Sequence, residues 1–189
     1  MNPMFRTAIV AVAAVTAVTV SSSAIDAAKS NPMVGGAAMY PTKTIVENAV
    51  NSKDHTTLVA AVKAAGLVDT LSGPGPFTVF APTNAAFAAL PAGTVDTLLK
   101  PENKAALTGV LTYHVVPGKI DAAALTRQIT EGKGTAMLKT VAGGTLTAKS
   151  SGGKVMITDE KGGTANVTIA DVIQSNGVIH VVDKVLLPK

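Results

Sequence analysis

The sequence predicts an α+β domain in which the helices come first and the strands second. Two observations carry this. Up to Leu125, apolar residues recur at helical spacing between Gly and Pro stops. From Thr135 onward they fall into short strand-like runs divided by Gly-Gly, Ser-Gly-Gly and Asn-Gly. Runs joined by such tight turns pair as hairpins, so the sheet should be mainly antiparallel rather than built from alternating βαβ units. No internal repeat is visible, which makes this one copy of one domain.

The elements follow in order. Residues 28–41 are rich in Gly, Ala, Met and Pro without a clean period, and read as an N-terminal arm, partly ordered at best. Met33 and Met39 are soft copper ligands in principle, but no His or Cys stands near and the Met spacing does not repeat. Thr42–Val50 forms a first helix with Ile45, Val46, Ala49 and Val50 on one stripe. Ser52 or Asp54 caps a second, carrying Leu58, Val59, Val62 and Ala65 and stopped by Gly66. His55, at its polar start, should be exposed. After the turn cluster Ser72–Pro76, Phe77–Phe80 is a strand ended by Pro82, and Thr83 or Asn84 caps a helix bearing Phe87 and Leu90. Thr94 opens a short helix, and Pro101 suits the first turn of the next, which is lined by Ala106, Leu107, Val110 and Leu111. It runs into a strand at Tyr113–Val116. Asp121 caps one more short helix through Leu125. The strands are Thr135–Val141, Thr145–Lys149, Val155–Asp159, Ala165–Ile173 and Val178–Leu187. Before the last of these, Asn176 and Gly177 form a turn in which both accept positive φ.

Bulk properties narrow the function. The chain has 189 residues, no cysteine and a formal net charge of +4. Met1–Arg6, Thr7–Val20 and Ser21–Ala28 have the three-part layout of a secretory leader, assigned to residues 1–27, with cleavage after Ala24, Ala27 or Ala28. Its apolar run is shorter than the roughly 20 residues of a membrane span. The mature domain, 42–189, must hold by its core alone, and about 150 residues suffice for that. A secreted, periplasmic or extracellular protein with no membrane span in the mature chain is expected, and a monomer. Lysines are scattered singly, Arg127 is the one arginine beyond the leader, and aromatics are 3%; this excludes a nucleic-acid surface. No Gly-x-Ser-x-Gly elbow, Cys/His pair or phosphate loop is present, and no carboxylate pair is set for acid/base work. The chain is read as no enzyme, with no catalytic residue, metal or cofactor. Asn166-Val167-Thr168 is a glycosylation sequon lying in a predicted strand.

Three segments stand out. Phe77-Thr78-Val79-Phe80-Ala81-Pro82-Thr83-Asn84, extended to Phe87, joins an aromatic strand to a capped helix. Tyr113-His114-Val115-Val116 places a histidine among aliphatics. Asn176-Gly177-Val178-Ile179-His180-Val181-Val182-Asp183 does so again. In this order and spacing they resemble the blocks of the fasciclin-like domain family, over about Thr44–Pro188. The resemblance implies a wedge-shaped β-sandwich with several helices along one edge, and a role in adhesion. Phe77, Phe80, Pro82, Thr83, Asn84, Phe87, Asn176, Gly177 and His180 match its structural motif.

The resemblance also implies partner-contact residues. Its Tyr-His motif with flanking aliphatics falls on Tyr113, His114, Val115 and Val116. Its Pro-Asp-Ile-type motif falls on Ala170-Asp171-Val172-Ile173, where Ala replaces Pro and Val replaces Ile, leaving Asp171, Val172 and Ile173 as candidates. A carboxylate beside aliphatics suits a partner-bound cation, although Asp171 also fits an internal acceptor or strand-end cap. His114 and His180, in apolar strands, need hydrogen-bond partners from backbone or from Thr and Asn groups; a metal shared between them lacks a third ligand. The expected function is a secreted, non-catalytic module binding a cell-surface or matrix protein or polysaccharide. The alternative is a periplasmic carrier of a small ligand or metal, using a cleft near His114 or His180.

Overall fold

The computed structural model describes residues 31–189; the predicted leader lies outside them. The chain runs β1 (Met33–Val34), β2 (Ala37–Ala38), α1 (Ile45–Ala49), α2 (Thr56–Ala65), α3 (Val68–Ser72), β3 (Phe77–Pro82), α4 (Asn84–Ala88), α5 (Thr94–Leu99), α6 (Lys104–Tyr113), β4 (Val115–Pro117), α7 (Ala122–Glu131), β5 (Thr135–Lys139), β6 (Thr145–Ser151), β7 (Lys154–Thr158), β8 (Thr164–Gln174) and β9 (Gly177–Val182). The α+β order is as expected. Seven strands form one sheet in the order β4-β3-β9-β8-β7-β6-β5. Every neighbouring pair is antiparallel except β3 and β9, which run parallel with Phe80 beside His180. The sheet curls until its two edges nearly meet, where the Val141 N–H donates to the Val115 carbonyl at 2.8 Å. The expected sandwich is thus a single sheet folded over on itself.

Two apolar cores result. On one side of β3 and β9, helices α1, α2 and α6 bury Ile45, Leu58, Val62, Leu107, Val110 and Leu111 against Val79, Ala81, Ile179 and Val181. Inside the curled sheet, Phe80, Tyr113, Leu125, Leu146, Ile157, Val182 and Leu186 form the other. Alternation along β3 and β9 sends successive side chains to opposite cores, so these strands read as continuous apolar runs.

Local chemistry explains the helix ends. Thr44 and Glu47 close a capping box on α1, which holds the Glu47 carboxyl below its ordinary range through the Thr44 backbone N–H and hydroxyl. Gly66 ends α2 at φ 72°. Thr83, rather than Asn84, caps α4, and Asp121 caps α7. Asn84 instead ties α4 to the start of α2, accepting from Thr57 N–H and donating to the Lys53 carbonyl.

Several expectations change. The 31–41 segment is built into the fold: β1 and β2 pair, and Val34 and Met39 are buried in the helical core. Tyr113 ends a helix and His114 caps it, so the strand begins only at Val115. Helix α7 runs to Glu131, because Leu125 and Ile129 both face the interior of the sheet. Strand β9 stops at Val182; the segment to Leu187 is irregular and is held by side-chain acceptors instead of a ladder. His55 is buried, not exposed. Neither Asn176 nor Gly177 has positive φ. Glycine is needed at 177 for another reason: a Cβ there would collide with the Phe77 carbonyl on the neighbouring strand.

Candidate functional site

The sheet order brings the three sequence blocks side by side. Val115 and Val116 of β4 pair with Val79 and Thr78 of β3, and β3 pairs along its whole length with β9. Residues separated by about a hundred positions therefore share one patch of sheet, and what they do there depends on which face each side chain takes.

His114 is buried at the end of α6. Its Nδ1 lies 2.8 Å from the Val110 carbonyl, and its Nε2 accepts from the Leu186 N–H at 2.9 Å. A carbonyl requires a donor and an N–H requires an acceptor, so the ring is the neutral tautomer protonated on Nδ1. Burial pushes its pKa down to about 4, against the opposing pull of the Val110 carbonyl and Asp159. The residue fastens the helix end to the C-terminal segment. Asp159 completes that fastening by accepting from Leu187 N–H, Lys161 N–H and Gly163 N–H.

Tyr113 points the other way, into the interior of the curled sheet. Its hydroxyl donates to the Thr145 carbonyl at 3.0 Å and accepts from Glu160 N–H at 3.1 Å. Burial raises its pKa against the opposing hydrogen bond from the Glu160 N–H, and the negative charges of Glu160 and Asp159 add to the rise. Tyr113 and His114 are consecutive, yet they serve opposite cores.

His180 stacks on Phe80, with ring centroids 5.6 Å apart and planes at 25°. Its Nε2 donates to the Ile120 carbonyl at 2.8 Å, and Nδ1 faces the Asp171 N–H at 3.4 Å. Burial lowers its pKa as well, against Ile120, Asp171 and Asp121. Thr78 joins the same fastening, donating to the Gly118 carbonyl and accepting from Ile120 N–H. The loop before α7 is thus held to β3 and β9 by two buried side chains. All four ring nitrogens of His114 and His180 are engaged with backbone groups. The two rings do not share a site, and no described cluster of three or more His, Cys, Asp or Glu residues could hold a metal.

Opposite His180, β8 carries an extra residue. The register steps from Ile169↔Val181 to Val172↔Ile179, a β-bulge at Ala170–Asp171. Asp171 takes φ 57°, a left-handed conformation that Asp tolerates better than most residues. The bulge turns its carboxylate to the surface, where Oδ1 accepts from Ala122 N–H at 2.6 Å, the first residue of α7. Ile173 beside it is 38% exposed, while Val172 is fully buried.

The candidate partner residues therefore divide. Asp171 and Ile173 reach solvent; Tyr113, His114, Val115, Val116 and Val172 are buried and tie the fold together. Among the motif residues, Phe80, Phe87 and His180 are core. Asn176 does more than turn the chain: its carboxamide accepts from Ile45 N–H and donates to the Leu71 and Gly73 carbonyls. Thr78, Asp159 and the hydrogen-bonded pair Asn48 and Gln174 carry comparable loads that sequence reasoning missed. A polar residue inside an otherwise apolar run was the available signal at Thr78.

This geometry has known counterparts. The chain is 52% identical to protein sll1483 of Synechocystis sp. over 170 residues, covering 90% of this chain and 87% of that protein. It is 38% identical to immunogenic protein MPB70 of Mycobacterium bovis, covering 74% of this chain and 66% of that one. With transforming growth factor-beta-induced protein ig-h3 of Sus scrofa the identity is 37%, over 78% of this chain but 20% of that protein. The fold is also similar to about half of the structure of a FAS1 domain pair from the insect cell adhesion molecule fasciclin I, with a TM-score of 0.69, 19% identity, and coverage of 77% of this chain and 51% of the other. The fasciclin domain model matches residues 53–188, taking in all three blocks and the strands that join them, and the chain belongs to the fasciclin domain family.

Proposed function

We propose that the protein is an exported, non-catalytic interaction module, acting as a monomer and binding a protein or polysaccharide at the cell envelope or extracellular matrix. Asp171 and Ile173 form the centre of the contact surface. One observation supports this above the others. The Ala170–Asp171 bulge spends backbone strain to hold a carboxylate at the surface beside an exposed isoleucine. Likeness to a protein named as a cell adhesion molecule points the same way. Export rests on the three-part layout of residues 1–27. No described helix is long and apolar enough to cross a membrane.

A non-catalytic role agrees with how the titratable groups are employed. Burial pushes the three histidines toward the neutral form, and the carboxylates of Asp121, Asp159 and Asp183 accept from backbone N–H groups. These are structural uses.

The test is crosslinking of the purified mature protein to envelope or matrix extracts, followed by binding measurements with the recovered partner. Ile173→Glu should weaken binding about tenfold, a loss of about 1.4 kcal/mol, while leaving the melting temperature within error. A partner bound equally well by Ile173→Glu and Asp171→Gly would place the contact surface elsewhere.

A further inference from the structure

Between the start of α7, the β6–β7 turn and the middle of β8 lies a groove of about 670 Å³. That falls within the roughly 300–1,000 Å³ of small-ligand clefts. Val155 and Val167 line it; both are half-buried and pack against the interior of the curled sheet. Ala122 and Ala170 line it as well, and both adjoin the β8 bulge: Ala170 belongs to the bulge, and the Asp171 carboxylate accepts from the Ala122 N–H. The groove therefore runs up to the surface assigned above to partner contact.

Its polar groups are committed in a one-sided way. The Thr126 hydroxyl donates to the Ala122 carbonyl at 2.7 Å, and the Thr168 hydroxyl to the Val181 carbonyl at 3.2 Å. A hydroxyl has one hydrogen, so each of these has only lone pairs left for a ligand. Asp183 accepts from the Asn166 N–H and from Asn166 Nδ2, both at 2.7 Å. A carboxylate requires a donor, so the Asn166 amide is oriented with Oδ1 left to accept, and Asp183 keeps further lone pairs of its own. Against these acceptors stand the Lys154 ammonium and the second Nδ2 hydrogen of Asn166. Lys154 and Asp183 are the two charges of the lining, and they cancel.

We propose that this groove binds a neutral polysaccharide, a proposal that rests on the reading of the protein as an interaction module and selects its class of partner. A lining rich in acceptors calls for a ligand rich in donors, and a sugar carries hydroxyls around its ring. Each hydroxyl can donate to one group and accept from another, so none is left unpaired. A peptide strand brings a carbonyl with every N–H, and few donors here would meet those carbonyls. An acidic chain would set its charges against Asp183 and Asp171, and a basic one against Lys154. The C–H faces of the sugar rings cover Val155 and Val167.

The experiment is a titration of the mature protein with cellohexaose, maltohexaose and mannohexaose, and with hexagalacturonate as the acidic counterpart, followed by amide NMR. At least one neutral hexasaccharide should move the signals of Ala122, Val155, Val167 and Thr168 together and saturably. Hexagalacturonate should bind at least about tenfold more weakly. Thr168→Val keeps the side-chain shape and removes one acceptor, and should weaken the neutral sugar about tenfold, the worth of one hydrogen bond. Thr126→Met removes another, and the double variant should lose about a hundredfold. Both positions are exposed, so the melting temperature should hold. Groove signals unmoved by all three neutral sugars, equal binding of hexagalacturonate, or full affinity in the double variant would each overturn the proposal. The interaction module would survive those results if Ile173→Glu weakened binding of a recovered protein partner. Sugar binding lost in the double variant but untouched by Ile173→Glu and Asp171→Gly would keep the groove and remove Asp171 and Ile173 from the contact.

Discussion

Three histidines with the same ring perform three different tasks. His114 donates and accepts between two backbone segments, His180 stacks and fastens a loop, and His55 leaves one nitrogen unused. Burial lowers the pKa of all three, so the folded protein holds them neutral more strongly than the unfolded chain does. The sign of the pH dependence follows. Where the unfolded chain binds more protons, stability rises with pH. Stability should therefore be fully present above the ordinary histidine value of 6.5 and decline as pH falls toward the His114 value of about 4. Each histidine contributes at most about 1.4 kcal/mol per pH unit. Denaturant midpoints measured from neutral pH down to that value should show the decline, and His114→Gln should make it shallower. A flat profile would contradict the neutral-histidine assignment. His180→Ala should cost about 1–3 kcal/mol by orphaning the Ile120 carbonyl, and an unchanged melting temperature would show that the fastening of the loop is idle.

At the scale of elements, tight approach and register matter more than propensity. Strand β9 can lie beside β3 only because residue 177 lacks a side chain. Gly177→Ala should cost about 1–3 kcal/mol through forced displacement of β3, which a chemical denaturation curve would detect; a neutral result would mean that the β3–β9 start is looser than it stands here. Helix α7 begins under two carboxylates, with Asp121 accepting from Ala124 N–H and Asp171 from Ala122 N–H. Asp121→Ala should cost about 1 kcal/mol as an ordinary cap. Asp171→Gly should cost less than Asp171→Ala, because glycine relieves the positive φ as it removes the acceptor. Comparing the two by thermal melting separates the strain of the bulge from the hydrogen bond it supports.

At the scale of the molecule, β3 and β9 belong to both cores and should make them unfold together. The two tyrosines offer a direct check. Tyr113 is inside the curled sheet, while Tyr40 is 44% exposed on the helical side, beside Lys43. With no tryptophan to interfere, fluorescence of a Tyr40→Phe variant reports on Tyr113 alone. Its transition should coincide with that seen by far-UV circular dichroism. Separate midpoints would show that the helical core and the sheet interior unfold independently.

Much of the fold was legible because its signals are local. Capping residues, Gly and Pro stops and the change from helical to alternating period placed nearly every element, including the Asp121 cap and the Gly66 stop, while the choice of Thr83 over Asn84 came from the structure. The errors fell where partners distant in sequence decide. Tyr113-His114 looked like strand because it is apolar and precedes valines, but the helix runs through Tyr113 with His114 as its cap, so that Tyr113 enters the sheet interior while His114 accepts from the Leu186 N–H. His55 looked like a polar helix start, and only the arm, α1 and β3 closing over it make it buried. The sequence by itself determined the α+β class and the family, because periodicity, turns and the three blocks are written along the chain. The tertiary structure alone decided which candidate residues reach solvent. Exposure depends on how β8 bulges and how the sheet curls, and both follow from register between segments that the chain does not hold adjacent.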